Sequence, residues 1–152
     1  MINNLESLKE KIDEEMKINC NLETNSTLKI LSNYTGNDWK EYVKLDDKKY
    51  SKIKVCKENS FDMYVITWNK EQQCPIHDHS SNGCIYKIMK GCLQETIFNK
   101  HLEWTHRKNM YENCSSYISD KIGYHSMKNT NKDITVSLHI YSPPGYKTNY
   151  FN

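Results

Sequence analysis

Cys74-Pro75-Ile76-His77-Asp78-His79 concentrates more chemistry than any other stretch of this chain. Successive side chains of a β-strand alternate between faces, so an H-x-H pair sets His77 and His79 on one face of a sheet. Pro75 lacks a backbone N–H, which confines the segment to an edge or to the first residues of a strand. Asp78 then projects from the opposite face, which argues against a site of two histidines and one carboxylate. An isolated H-x-H pair also suits a surface pair or a satisfied polar cluster. Downstream, however, His125 and Ser137-Leu138-His139-Ile140-Tyr141 supply further imidazoles in strand-like surroundings. Three imidazoles hold a transition metal and leave coordination positions open, so a metal-centred active site is predicted.

Outward from this block, Leu5, Leu8, Ile12 and Met16 repeat at helical spacing behind Asn3 or Asn4 as N-cap. A second short helix is expected over 25–31 and a further turn over 37–42. From Tyr50 onward β-formers dominate, with strands expected over 51–57, 61–68, 83–89, 93–98, 114–118 and 134–141. Lys90-Gly91 and Asn99-Lys100 read as tight turns. A short helical segment followed by many short strands predicts a mainly β protein, an antiparallel barrel or jelly roll. One domain is expected over 1–152, with a helical cap in 1–45 and a barrel in 50–144.

Composition excludes several classes. Hydrophobic residues make up 37% and charged residues 26% of the 152, enough for a core in one domain. No run approaches a membrane-spanning helix, and the start shows neither a basic nor an apolar signal region. Six cysteines without C-x-x-C pairing are expected to stay reduced, in a cytoplasmic setting. Apart from Cys84, they read as structural or surface thiols. The net charge of +2 comes from dispersed lysines with no basic stripe, which argues against nucleic-acid binding. A monomer is expected. Arg107 is the lone arginine.

Several blocks, in order, resemble one family. Pro75-Ile76-His77-Asp78-His79, Cys84, residues 90–98 (Lys-Gly-Cys-Leu-Gln-Glu-Thr-Ile-Phe), Ile122-Gly123-Tyr124-His125 and Ser137-Leu138-His139-Ile140-Tyr141-Ser142-Pro143-Pro144 together look like cysteine dioxygenase. These cupin-type thiol dioxygenases oxidise L-cysteine with O2 to cysteine sulfinic acid. The resemblance implies a cupin barrel and Fe(2+) held by His77, His79 and His125. It gives Tyr141 the active-site phenol, with Ser137 and His139 in a hydrogen-bonded chain behind it; alternation independently puts 137, 139 and 141 on one strand face. It pairs Cys84 with Tyr141 in a thioether cross-link, makes Trp68 a packing residue near the substrate, and implies a cis Ser142–Pro143 bond. Three neutral imidazoles leave the iron's full double charge to attract a thiolate.

Two departures qualify the likeness. Where the family binds the substrate carboxylate with the arginine of a Tyr-x-Arg stretch, this chain has Tyr50-Ser51-Lys52. Lysine is a point charge, whereas guanidinium is a planar two-pronged clamp. Lys52 is therefore expected to take the carboxylate with looser orientation, which favours a raised KM or tolerance of other small thiols such as 3-mercaptopropionate or cysteamine. The chain also stops at Asn152, where family members usually continue with a further strand and tail, so a more open pocket or a need for self-association is expected. A metal-binding cupin without catalysis, acting as sensor or interaction module, is the competing reading. It gives no reason for His77, His79, His125 and Tyr141 to occur together. A Ser-His hydrolase lacks both an acid partner and a nucleophile elbow.

Overall fold

Asn4 starts the first helix because its side chain accepts the Ser7 N–H at 2.7 Å, satisfying one of the free donors of the first turn. The computed structural model describes residues 1–151. Helix α1 (Leu5–Asn19) buries Leu5, Leu8, Ile12 and Met16 and ends at Cys20 in a left-handed conformation. Helix α2 (Asn25–Ser32), capped by Thr24, and a short 3-10 turn (Asp38–Tyr42) complete the N-terminal part.

Ten strands follow: β1 (Ser51–Lys57), β2 (Asp62–Trp68), β3 (Ile76–His77), β4 (Cys84–Lys90), β5 (Cys92–Phe98), β6 (Trp104–Tyr111), β7 (Ser115–Ile118), β8 (Tyr124–Asn129), β9 (Thr135–Tyr141) and β10 (Tyr150–Phe151). They form two five-stranded sheets, ordered β1-β2-β9-β4-β7 and β10-β3-β8-β5-β6, with every named pair antiparallel. This is the jelly roll that the strand spacing predicts. Gly91, at φ 82°, makes the turn between β4 and β5, a conformation that suits glycine.

The first sheet is buried on both faces, and alternation sorts its side chains. Met63 and Val65, Ile85 and Met89, and Val136, Leu138 and Ile140 pack with α1 and α2 in one core. Ile66 and Trp68, with Cys84, Tyr86 and Ile88, face inward into a second core between the sheets. The helices therefore cover what would otherwise be an exposed apolar sheet, and the opposite face of the same strands is free to carry chemistry.

Lys87 anchors this arrangement. It sits on the helix-facing side of β4 at 2% exposure, and its ammonium donates to the carbonyls of Ser32 (2.9 Å) and Tyr34 (2.7 Å) at the end of α2. A cation there also complements the negative end of the helix.

Three expectations need correction. Regular strand pairing ends at His77, so His79 lies beyond the strand: its N–H donates to the Asp120 carboxylate at 2.9 Å in place of a strand partner. β6 was not expected, because an edge strand exposed at seven of its eight positions carries no alternating apolar signal. The barrel also extends past residue 144. The chain turns back after the cis Ser142–Pro143 bond, and β10 pairs with β3 over the side expected to be open.

Replacing Lys87 with Met leaves the buried Tyr34 carbonyl and the part-buried Ser32 carbonyl without this donor. We expect a loss of about 2–3 kcal/mol, measured as a lowered urea midpoint at unchanged slope.

Candidate metal centre

The second sheet brings His77 and His125 together by register. They are paired directly across β3 and β8, so both rings leave the same face, with centroids 4.6 Å apart. His79 reaches the same point from beyond β3, its ring 4.5 Å from His125 and 5.3 Å from His77. One nitrogen from each of the three rings falls within 4.8 Å of the others. Asp78 is turned away, as alternation predicts. Its carboxylate accepts the Asn149 backbone N–H at 2.9 Å and side-chain amide at 2.8 Å.

The partners of the outer ring nitrogens fix where the protons lie. His77 Nδ1 is 2.8 Å from the Pro75 carbonyl, which only accepts, so Nδ1 carries the proton. His79 Nδ1 faces the Asp120 carboxylate at 3.1 Å, and His125 Nδ1 faces Glu95 Oε2 at 2.7 Å. Burial opposes ionisation of Glu95, but the hydrogen bond and charge of His125 outweigh it and hold the carboxyl at about 2. Lys108 approaches the other Glu95 oxygen at 3.4 Å.

Burial keeps His77 and His79 neutral. It drives His77 well below the ordinary imidazole range, helped by the charge of His125, and lowers His79 to about 4. A neutral ring with its proton on Nδ1 offers a bare lone pair at Nε2. Nε2 of His125 lies 3.0 Å from Nε2 of His77, and Nε2 of His79 is buried with no hydrogen-bond partner. The bare Nε2 of His79, turned toward the two paired nitrogens, is satisfied by a cation at the point where the three rings converge. With carboxylates and a carbonyl orienting the far side of each ring, the donor set fits a transition metal.

A pocket of about 380 Å³, counted to its mouth, adjoins the triad. Trp68, stacked on Tyr50 at 4.8 Å, forms one wall, and Lys52, His139 and Tyr141 line it as well. Lys52 is exposed as a residue, and its ammonium lies over the rings of Tyr64 (4.3 Å) and Tyr141 (4.5 Å). Burial there lowers its pKa, and among the described residues no carboxylate lies within 4.0 Å of it. Arg107 is far from this role: it lies on β6, donating to Thr96.

Behind the pocket runs a directed hydrogen-bond chain. The Trp68 indole N–H donates to Ser137 Oγ at 2.9 Å, and Ser137 Oγ is 2.8 Å from His139 Nε2. With Ser137 accepting from Trp68, its own hydroxyl proton is free for Nε2. Burial keeps His139 neutral, so its one proton sits on Nδ1, facing the Tyr141 oxygen at 3.4 Å. Trp68 is thus more than a packing residue. Burial also raises the Tyr141 phenol, so it stays protonated, and its O–H is left to point elsewhere. Cys84 is paired directly opposite Tyr141 across β4 and β9, with Sγ 3.9 Å from His139 Nδ1.

All ten site residues expected from the sequence therefore lie in or directly behind one pocket. Glu95, Asp120 and Tyr150 were missed. Glu95 had a readable signal: it shares its strand face with Leu93 and Ile97, both buried, and a carboxylate on an inward apolar face needs a partner. Asp120 and Tyr150 gave none.

Neutral His77 and His79 set a pH dependence in metal-free protein. His79 is depressed from 6.5 to about 4, so as pH falls the unfolded chain binds the proton first. Stability is full above pH 6.5 and drains away down to about 4, by at most ~1.4 kcal/mol per pH unit for each histidine so held. Urea midpoints across this range test the point, and a flat profile excludes a triad buried without protons.

Comparison with known proteins agrees with the geometry. The family model described as cysteine dioxygenase type I matches residues 7–152. Cysteine dioxygenase type 1 from Rattus norvegicus is 33% identical over 129 residues, covering 76% of this chain and 62% of that protein. The Danio rerio protein of the same name is 32% identical over 130 residues, covering 76% and 63%. The chain thus spans about three fifths of the length of these curated relatives. Among solved structures, a Klebsiella pneumoniae protein with a double-stranded beta-helix domain superposes with a TM-score of 0.65 at 12% identity, covering 75% of this chain and 94% of that one. The cupin domain of Schizosaccharomyces pombe Cnp3 gives 0.55 at 18% identity, covering 67% and 69%. These two likenesses speak for the cupin fold alone. With a family match running through nearly the whole sequence, the chain belongs to the cysteine dioxygenase type I family.

Proposed function

We propose that this protein is an iron-dependent thiol dioxygenase whose substrate is L-cysteine. The observation that carries this reading is the convergence of one ring nitrogen each from His77, His79 and His125 beside the Lys52 ammonium and the Tyr141 phenol in one small pocket. Iron(II) held by His77, His79 and His125 would supply open coordination positions for a thiolate and O2, with no ligand carboxylate to reduce its charge. The overall change is RSH + O2 → RSO2H: both oxygen atoms join sulfur, and no further reductant is needed.

The remaining work belongs to the chain's own groups. Lys52 receives the substrate carboxylate. Its ammonium is held over two rings at the pocket, which aims it at an incoming anion. Tyr141 donates its hydroxyl proton toward the reacting atoms, and His139 and Ser137 hold that phenol in place. Tyr50 and Trp68 pack one wall and exclude water. Cys84, opposite Tyr141 in the register, is placed for a thioether bond to it, with two hydrogens lost to O2 as oxidant.

Lys52 also favours a second reading, a dioxygenase tolerant of other small thiols, because one ammonium orients a carboxylate less strictly than a guanidinium. Oxygen uptake by iron-loaded protein with cysteine, 3-mercaptopropionate and cysteamine separates the readings, and no uptake with any of them rejects both. For Lys52→Ala we expect KM for cysteine to rise about tenfold or more, the loss of one charged hydrogen bond. Cysteamine, which has no carboxylate, should be affected far less; equal effects would deny Lys52 this role. On a denaturing gel of protein turned over with cysteine, the cross-linked form should migrate apart from Cys84→Ser.

A further inference from the structure

The segment following Pro144 folds back across the mouth of the pocket and is fastened there on both sides. Asp78, between two of the triad histidines, accepts from the backbone and side chain of Asn149, and its own N–H donates to the Asn149 carbonyl at 3.2 Å. Next to it, Phe151 stacks on Tyr124 with centroids 4.8 Å apart. Between these fastenings Tyr150 is paired with His77 across β10 and β3, so both side chains leave the same sheet face, with rings 5.9 Å apart.

Tyr150 thus stands at a threshold. Beside the inner pocket lies an outer groove that contains Lys44, Asp46 and Lys49. Tyr50, Lys52 and Tyr150 line both spaces, and among the described residues no other does. Tyr50 is fixed by its stack on Trp68, and Lys52 is the carboxylate partner. Tyr150 is 54% exposed, half in the pocket wall and half in solvent, on a strand of two residues.

We infer that Tyr150 is a specificity-determining residue whose ring closes the pocket just beyond Lys52, admitting thiols that end at the carboxylate and rejecting those extended past it through an amide. The inference rests on the thiol dioxygenase reading and names the substrate class within it. A cysteine extended by one residue places extra atoms where the ring stands. Without the ring, its terminal carboxylate would reach the groove lysines Lys44 and Lys49.

The test compares iron-loaded wild type, Tyr150→Ala and Tyr150→Phe. Anaerobic titration calorimetry gives Kd for cysteine and for cysteinylglycine, and oxygen uptake with both is measured in parallel. Tyr150→Ala should shift the Kd ratio toward cysteinylglycine by about tenfold or more, within the range a steric pocket contact supplies. Tyr150→Phe keeps the ring and should stay near the wild-type ratio. An unmoved ratio in Tyr150→Ala overturns the inference, as does an equal shift in both variants, which would assign the effect to the hydroxyl. Cysteine binding without oxygen uptake from any thiol defeats the dioxygenase reading instead, while the Kd ratios still decide Tyr150. A wild type that binds neither thiol overturns both.

Discussion

Three imidazole lone pairs aimed at one point cannot persist in a protein core without a reason, and everything around them serves that convergence. Each ring is held from behind by an acceptor: a backbone carbonyl for His77, an aspartate for His79 and a buried glutamate for His125. These acceptors are what place the protons on the outer nitrogens. Exchanging any of them for a donor would reverse the tautomer and put an N–H where a metal must approach. The triad is therefore defined by six groups, of which three are the candidate ligands.

The barrel explains why such groups can be collected. The first sheet has two buried faces and uses them differently: one packs apolar side chains against the helices, and the other carries Ser137, His139 and Tyr141 into the interior. A strand with one face committed to packing holds its other face rigidly, and rigidity is what a directed hydrogen-bond chain from Trp68 to Tyr141 requires.

The parts legible in the sequence were those that depend on local periodicity. Strand alternation placed 137, 139 and 141 together, turned Asp78 away from His77 and His79, and located the strands of the first sheet to within a residue or so. What could not be read depends on register between distant segments. Asp120 meets His79 from 41 positions away, and Tyr150 meets His77 through a two-residue strand too short to leave a pattern. β6 escaped because both of its faces are polar, so its strand character comes only from pairing with β5. Glu95 is the instructive miss, since its position between Leu93 and Ile97 already marked it as an inward charge.

Lys87 has a consequence for how the molecule holds together. Its side chain leaves β4 on the face opposite Tyr86 and Ile88, and its ammonium is spent on two carbonyls at the end of α2. The helical region is thereby riveted to the same strand that carries Cys84 and Tyr86 beside the pocket. Cutting that region away would expose a greasy sheet surface and maroon a positive charge on it, so the N-terminal helices are structural masonry for the barrel and not an appendage that can be shed.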